Sequence, residues 1–292
     1  MPTIPQPARE GFTTTTPVPL YWCEYGNPDS PPVLLLHGGP GASHDYLLPQ
    51  MLVLAESHRL ICYDQRGGGR SRHDSDRAEI GWKDQVADLA LVARERAADP
   101  LVIVGYSWGA LLGLLYAIEA AEGRVSPRPA RLALLDPAPI TRAWREQFEQ
   151  EFARRQASAE LSAMRAELAA SGLREGNPEL HRQRAFELSV AGYFADPRRA
   201  HDLTPFRVTG RVQQSIWRSL GDFDLTAQAR VVSVPAFVCH GRQDPIPLAS
   251  SQAVAEALGV GCLVLEDCGH VPYVEQPGQL FPPLVAFLGD ER

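Results

Sequence analysis

One serine, held between two glycines where an apolar run meets a helical pattern, constrains the fold of this chain most. The apolar residues 101–104 lead into the sequence GYSWG at positions 105–109, and apolar residues with helical spacing follow. A G-x-S-x-G sequence in this setting is typical of a sharp turn from a strand to a helix, with the serine in a strained backbone conformation. Glycines on both sides let neighbouring segments approach closely. The pattern predicts that the turn exposes the hydroxyl of Ser107. The alternative is an ordinary turn in which Ser107 caps the helix.

The composition suits a large domain with a buried core and argues against some partners. The chain has 292 residues, of which 45% are hydrophobic, enough for one α/β domain or for a core with a smaller subdomain. The net charge of −7 argues against a nucleic-acid partner. The arginines between residues 142 and 218 are interleaved with glutamates, as on a solvated helix face. The N-terminus shows no apolar signal region and no run approaches membrane-spanning length, so we expect a soluble cytoplasmic protein without a membrane partner.

The cysteines and histidines indicate neither a metal site nor a cofactor. There are five cysteines, an odd number without the spacing of metal ligands. Three lie in apolar strand-like runs, where a free buried thiol is expected: Cys62, Cys239 and Cys262. No histidine spacing suggests ligands either. We therefore expect no metal and no cofactor, and the sequence indicates no particular oligomeric state.

Strands and helices alternate along most of the chain. Residues 11–25 are rich in threonine and aromatics, which predicts one or two antiparallel edge strands. Short apolar runs predict buried strands at residues 33–36, 59–63, 101–104, 131–135, 234–240 and 261–266. Helical spacing predicts helices over residues 45–55, 80–98, 250–258 and 279–288. This order predicts an α/β fold with a mostly parallel, twisted sheet and helices on both faces.

One long segment interrupts this alternation. Residues 141–171 are rich in Ala, Glu, Arg and Leu, with Thr141 as a cap, and predict a helix. Asn177 followed by proline predicts the start of another, which runs to about residue 194. We therefore predict a core formed by residues 1–136 and 229–292. Residues 137–228 are predicted to form a helical insertion over the carboxyl edge of the sheet, here called the cap.

The serine needs a base and an acid before it can act as a nucleophile. In an open α/β sheet, reacting groups collect on loops at the carboxyl ends of strands. His270 follows the last strand on a glycine-containing loop, which makes it the candidate base. Asp244 and Asp136 each follow a strand and are the candidate acids. We favour Asp244, because its loop directly precedes the strand that leads to His270; Asp136 is the alternative and otherwise a turn former before proline.

Acyl transfer also needs hydrogen-bond donors for a developing oxyanion. The backbone N–H of Trp108, directly after the serine, supplies one. The sequence HGGPG at positions 37–41 follows a predicted strand, and its lack of side chains allows Gly39 to supply the second. His37 is expected to order this loop.

A family resemblance rests on these motifs and others. HGGPG, ASHDYLLP, DQRGGGRS, GYSWGA, GRQD and CGH, in this order, resemble the proline iminopeptidase family of α/β-hydrolases. The resemblance implies an α/β-hydrolase fold with a helical cap, and removal of an N-terminal residue, often proline, from small peptides. It implies Ser107 as nucleophile, Asp244 as acid and His270 as base. It implies Gly39 and Trp108 as oxyanion donors.

The chain departs from the family where the substrate's amine is recognised. These aminopeptidases commonly hold the ammonium group with glutamates. One subgroup has an acid directly after the triad aspartate, where this chain has Pro245; another has a cap glutamate where this chain has Val190. Gln213 or Gln214 lies at the position where the family has a further cap glutamate.

Other cap residues are candidates for contact with the substrate. Three acids can replace the missing glutamates, or are solvated or capping acids: Glu187, Asp222 and Asp224. Four aromatic residues can line an apolar pocket, or only pack the cap against the core: Tyr193, Phe194, Trp217 and Phe223.

The sequence is compatible with three functions. The leading one is a cofactor-free serine hydrolase of aminopeptidase or amidase type that works through an acyl-enzyme on small peptides or amides. The second uses the same three residues on carboxylic esters or lactones that carry no free amine. The third is a catalytically silent binding protein on this fold.

Overall fold

A single twisted sheet of eight strands organises the structure. The computed structural model describes residues 3–72 and 79–289, so residues 1, 2, 73–78 and 290–292 of the predicted core lie outside it. The strands are β1 (Arg9–Phe12), β2 (Tyr21–Tyr25), β3 (Pro32–Leu36), β4 (Arg59–Tyr63), β5 (Leu101–Tyr106), β6 (Pro129–Leu135), β7 (Ala236–Gly241) and β8 (Cys262–Leu265). Their order across the sheet is β1-β2-β4-β3-β5-β6-β7-β8.

The sheet is parallel except at one edge. β1 pairs with β2 and β2 with β4 in antiparallel fashion, as expected for residues 11–25. All the other pairs are parallel. β3 and β5 are buried along their whole length, because apolar side chains pack against both faces of the sheet. The strand order reverses between β3 and β5, and the crevice at such a reversal is where open α/β sheets bind ligands.

The described residues form eleven α-helices, of which α3 to α8 lie between β6 and β7 in the chain. They are α1 (Trp82–Glu95), α2 (Trp108–Ala121), α3 (Arg142–Gln156), α4 (Ala159–Ala170), α5 (Leu173–Gly176), α6 (Pro178–Val190), α7 (Gly210–Leu220), α8 (Thr226–Ala229), α9 (Leu248–Ala257), α10 (Pro272–Glu275) and α11 (Pro277–Gly289). The predicted α/β fold, with its mostly parallel sheet and helices, is confirmed. No helix in the described ranges is both long and apolar enough to cross a membrane.

Three helix predictions were wrong in detail. The single helix expected over residues 45–55 is two short 3₁₀-helices, His44–Leu47 and Gln50–Glu56, because Pro49 between them offers no backbone N–H. The helix expected over 141–171 is divided into α3 and α4, because Ser158 turns the chain and its hydroxyl accepts from the Leu161 N–H at 3.3 Å. α6 ends at Val190, and a 3₁₀-turn replaces the predicted continuation to residue 194.

Candidate active site

The strand, turn and helix expected around Ser107 are present. Ser107 lies between β5 and α2 with φ 54° and ψ −118°, a conformation that side chains rarely adopt. A Cβ atom at Gly105 would lie 2.6 Å from the Cα of Ala110, and one at Gly109 would collide with the carbonyl oxygen of Leu36. The flanking glycines are therefore required by close backbone approach, and the turn lifts Ser107 above the sheet edge.

Ser107, His270 and Asp244 form one hydrogen-bonded relay. The Ser107 Oγ lies 2.9 Å from Nε2 of His270, and Nδ1 of the same ring lies 2.6 Å from Oδ2 of Asp244. Burial alone would raise the pKa of the Asp244 carboxyl group, but the nearby histidines and hydrogen bonds lower it below its usual value. The main chain of His270 is also fixed: its N–H donates to the carbonyl of Tyr193 at 2.7 Å, and its carbonyl accepts from the Tyr106 hydroxyl at 2.8 Å.

The alternative acid, Asp136, lies beside Asp244 but does not contact His270. Asp136 follows β6 and is fully buried, and its Oδ1 accepts a hydrogen bond from the N–H of Gly241 at 2.8 Å. No hydrogen bond in the described part of the chain joins Asp136 to His270. Asp244 is thus the aspartate that contacts the imidazole.

The two residues predicted to supply backbone N–H donors line the same cavity as Ser107. Gly39, with φ 124°, and Trp108, the first residue of α2, both line it. Among the described residues neither N–H has a hydrogen-bond acceptor, whereas the N–H of the preceding Gly38 donates to the Tyr46 hydroxyl at 2.6 Å. Free donors at this position are what an oxyanion requires.

Gln65, which was not among the predicted site residues, connects the two donor segments. Its side-chain N–H donates to the carbonyl of His37 at 2.7 Å, and its side-chain oxygen accepts from the indole N–H of Trp108 at 2.9 Å. The His37 ring accepts from the Gln65 backbone N–H at 3.0 Å, and burial lowers the pKa of His37 to about 4. His37 therefore orders the loop as a neutral ring. The pairing of HGGPG with DQRG was the available signal for Gln65.

The cavity above Ser107 has a volume of about 260 Å³. Of the four aromatic candidates, Tyr193 and Trp217 line it. Phe194 is 2% exposed in the apolar core, and Phe223 packs against Trp217 with ring centroids 6.1 Å apart and lines a neighbouring outer pocket. Two further aromatic residues, Phe148 and Phe152 of α3, line the cavity and were not predicted.

The three candidate acids of the cap do not line this cavity in the described structure. Glu187 pairs with Arg184 at 2.7 Å, Asp224 caps the N–H of Thr226 at 2.9 Å, and Asp222 lines the outer pocket. Gln213 does line the cavity, and its side-chain N–H donates to the Gly39 carbonyl at 3.2 Å.

A carboxylate outside the predicted set does line the cavity. Glu149 of α3 lies there beside Arg145, whose Nε donates to it at 2.9 Å and whose guanidinium stacks 4.1 Å from the Trp217 ring centroid. With Phe148 and Phe152, these residues are spaced three and four apart, so they share one helix face. That spacing was visible in the sequence, but the direction of the face was not.

Residues of the segment predicted to form the cap are also hydrogen-bonded to both loops of the site. The Ala195 N–H donates at 2.7 Å to Glu275, which also accepts from Gly269 in the loop of His270. The Thr209 N–H donates at 2.8 Å to the carbonyl of Gly41 in the glycine-rich loop. Loop geometry and cap geometry are therefore connected.

Comparison with known proteins places this geometry in a family. Residues 33–282 match the family model described as alpha/beta hydrolase family. The chain belongs to this family. It is 36% identical over 120 residues to a proline iminopeptidase of Neisseria meningitidis, a match that covers 39% of the chain and 37% of that relative. The chain thus spans little more than a third of that relative's length. It is 25% identical over 258 residues to a proline iminopeptidase of Lactobacillus helveticus, covering 85% and 86% of the two.

Solved structures share the fold over nearly the whole chain. A proline iminopeptidase of Mycobacterium smegmatis has a TM-score of 0.66 and 23% identity, covering 96% of this chain and 97% of that one. An enol-lactonase of Burkholderia xenovorans LB400 has a TM-score of 0.65 and 19% identity, covering 96% and 100%. The predicted resemblance to proline iminopeptidases is confirmed, and the α/β-hydrolase fold is shared with enzymes of other substrate classes.

Proposed function

We propose that this hydrolase is a serine aminopeptidase that releases an N-terminal residue from small peptides or amides, with proline the first residue to test. The observation that carries the proposal is the relay of Ser107, His270 and Asp244 beneath a small cavity lined by Gly39 and Trp108, whose N–H groups have no acceptor among the described residues. The similarity to curated proline iminopeptidases supports the same substrate class.

The proposed mechanism follows from the hydrogen bonds of the relay. The Ser107 oxygen attacks the scissile carbonyl carbon while its proton passes to Nε2 of His270, and Asp244 holds the other ring N–H. The N–H groups of Gly39 and Trp108 donate to the oxyanion. The intermediate expels the amine, which takes the proton from His270. A water molecule, deprotonated by His270, then hydrolyses the acyl-enzyme and restores Ser107.

The residues above Ser107 support recognition of one N-terminal residue. A cavity of about 260 Å³ admits a small group and excludes a folded chain. Tyr193, Phe148 and Phe152 offer it apolar aromatic surface. Glu149 offers a carboxylate to the free ammonium group, although it lies at none of the positions where relatives are expected to carry theirs.

A second function, hydrolysis of carboxylic esters or lactones without a free amine, is favoured by a different observation. Glu149 is engaged by Arg145 at 2.9 Å, and Gln213 is a neutral amide that binds the Gly39 carbonyl. A cavity whose lining, in the part of the chain that the structure describes, has no unpaired carboxylate suits a neutral substrate.

One panel separates these functions. Wild type and Ser107→Ala are assayed on prolyl and other aminoacyl arylamides, on their N-blocked forms and on short acyl esters. We expect turnover of the free-amine arylamides that Ser107→Ala abolishes. Turnover of esters alone would contradict the peptidase, and no turnover with no labelling of Ser107 by a fluorophosphonate would favour a silent binding protein.

A matched pair of variants tests the ammonium site. Glu149→Gln is expected to raise KM for free-amine substrates about tenfold, the effect of a lost charge-assisted hydrogen bond near solvent, and to leave ester turnover unchanged. Glu146→Gln is the control, because Glu146 pairs with Arg142 in the outer pocket. Equal effects of the two substitutions would contradict the assignment of Glu149.

The cytoplasmic location expected from the sequence remains part of this proposal. All five cysteines are free thiols, which suits a reducing compartment.

A further inference from the structure

Two buried aspartates lie side by side beneath the candidate active site. Asp136 ends β6 and Asp244 lies in the loop after β7; their side chains are 0% exposed. One oxygen of each lies, together with a ring nitrogen of His240, in a group of atoms all within 4.8 Å of one another. Two ionised carboxylates this close in a buried site strongly repel each other.

One carboxylate oxygen of the pair has no hydrogen-bond partner among the described residues. Asp244 uses both oxygens, Oδ1 for the Ile246 N–H at 2.7 Å and Oδ2 for His270 at 2.6 Å. Asp136 uses Oδ1 for the Gly241 N–H, but its Oδ2 is buried without any partner in the described structure. Burial of a carboxylate oxygen without a hydrogen-bond donor destabilises the folded state, so we expect this oxygen to carry a proton.

His240 does not neutralise the pair. Its Nε2 faces the carbonyl of Ile246 at 3.1 Å and therefore donates, while its Nδ1 lies 2.8 Å from the Ser251 hydroxyl. Burial lowers the pKa of His240, which keeps the ring neutral. Because both ring nitrogens are occupied, the three side chains also do not fit a metal ion.

We propose that Asp136 is a neutral carboxylic acid whose Oδ2–H donates to the Asp244 carboxylate, making Asp136 a positioning residue for the relay. One proton then satisfies the orphaned oxygen, removes the repulsion and gives Asp244 a third donor. The directions of the two pKa values agree: burial first, and the neighbouring Asp244 second, raise the pKa of Asp136 well above its usual value, while the pKa of Asp244 is lowered.

Among the described residues, the thiols, phenols and carboxyl group near Asp136 supply no positive charge. Burial raises the pKa of the thiols and phenols of this region, which are neutral at pH 7: Cys239, Cys262, Cys268, Tyr106 and Tyr273. Burial raises the pKa of Glu275 to about 7. Its negative charge above that pH further favours the neutral form of Asp136.

Infrared spectroscopy tests the proton directly and without catalysis. At pH 8 we expect the wild-type spectrum to contain a protonated-carboxyl C=O band that Asp136→Asn lacks. Glu275→Gln is the control and should retain the band, because Glu275 is mostly ionised at that pH. Identical C=O regions for wild type and Asp136→Asn would overturn the proposal, whether or not the protein is an aminopeptidase.

The pH profile tests the effect on the relay and rests on the proposed function. Asn at position 136 keeps an N–H donor for Asp244 and an oxygen for Gly241, so the acid limb of kcat/KM should move by less than about 0.3 pH unit. Asp136→Leu removes the hydrogen-bond donor of Asp244, so the Asp244 carboxylate should interact more strongly with protonated His270. The acid limb of kcat/KM should therefore shift to higher pH by about half a unit or more.

Two outcomes of these profiles would overturn the proposal. A fall of the acid limb by about one unit in Asp136→Asn would mean that the substitution had removed a negative charge. An unmoved limb in Asp136→Leu, with only a lower thermal midpoint, would mean a structural role alone. Activity that survives in Ser107→Ala would instead reject the proposed function and leave the infrared result standing.

Discussion

Asp244→Asn is the sharpest test of the relay, because the hydrogen-bond partners of Asp244 determine the orientation of an asparagine side chain at this position. An asparagine side chain has one acceptor oxygen, whereas Asp244 accepts from Ile246 at 2.7 Å and from His270 at 2.6 Å. If the amide oxygen faces the Ile246 N–H, the NH₂ group faces Nδ1 of His270. The imidazole must then carry its proton on Nε2, where it cannot accept the proton of Ser107.

The magnitude follows from two contributions. Turning the amide to keep the correct tautomer sets its NH₂ against the Ile246 N–H, at a cost of about 2 kcal/mol. Losing the charge that stabilises the imidazolium costs about 3 kcal/mol in a buried site. At about 1.4 kcal/mol per factor of ten, kcat should fall roughly 10³–10⁴-fold.

The assay is single-turnover and steady-state hydrolysis of the best arylamide, with folding checked by circular dichroism. Asp136→Asn is the matched control, because it changes the neighbouring buried aspartate in the same way and keeps its hydrogen bonds. Retention of more than a tenth of wild-type kcat in Asp244→Asn would refute the reasoning. So would an equal loss in the two variants.

Two further predictions concern stability. Gly109→Ala places a Cβ against the backbone of β3 and should lower the free energy of unfolding in urea by about 3 kcal/mol or more. Gly278→Ala, at a site with open space, is the control and should change it by less than about 0.5 kcal/mol. Similar urea midpoints for the two variants would contradict the packing argument. The pKa of Glu275 is raised from 4.5 to about 7, so its stabilising contribution is complete below pH 4.5 and is lost as the pH rises through 7. Relative to Glu275→Gln, the wild type should therefore lose up to about 3 kcal/mol between pH 5 and pH 8, and parallel stability curves would contradict this.

The sheet and the relay were predictable because each depends on short-range pattern and one topological rule. Apolar runs marked the strands, and Ser107, Asp244 and His270 each follow the carboxyl end of one. Parallel strands bring those ends to one edge, so the structure places the three side chains in contact.

The residues that line the cavity were less predictable, because they depend on how residues 137–228 pack on the sheet. Helical spacing put Arg145 and Glu149 on one face of α3, but only the packing of α3 directs that face toward Ser107. Aromatic content alone likewise did not separate Trp217, which lines the cavity, from Phe194, which fills the core.

The hydrogen bonds that tie the cap to both loops of the site bear on how such enzymes can be recombined. Tyr193 and Ala195 hold the loop of His270, and Thr209 and Gln213 hold the glycine-rich loop that contains Gly39. Exchange of the whole segment 193–213 for that of another hydrolase would replace the residues that make these four connections, and we expect it to displace His270 and Gly39 together. We expect a chimera that retains residues 193–195 and 209–213 from this chain to keep the geometry of both loops while the rest of the cavity lining is exchanged.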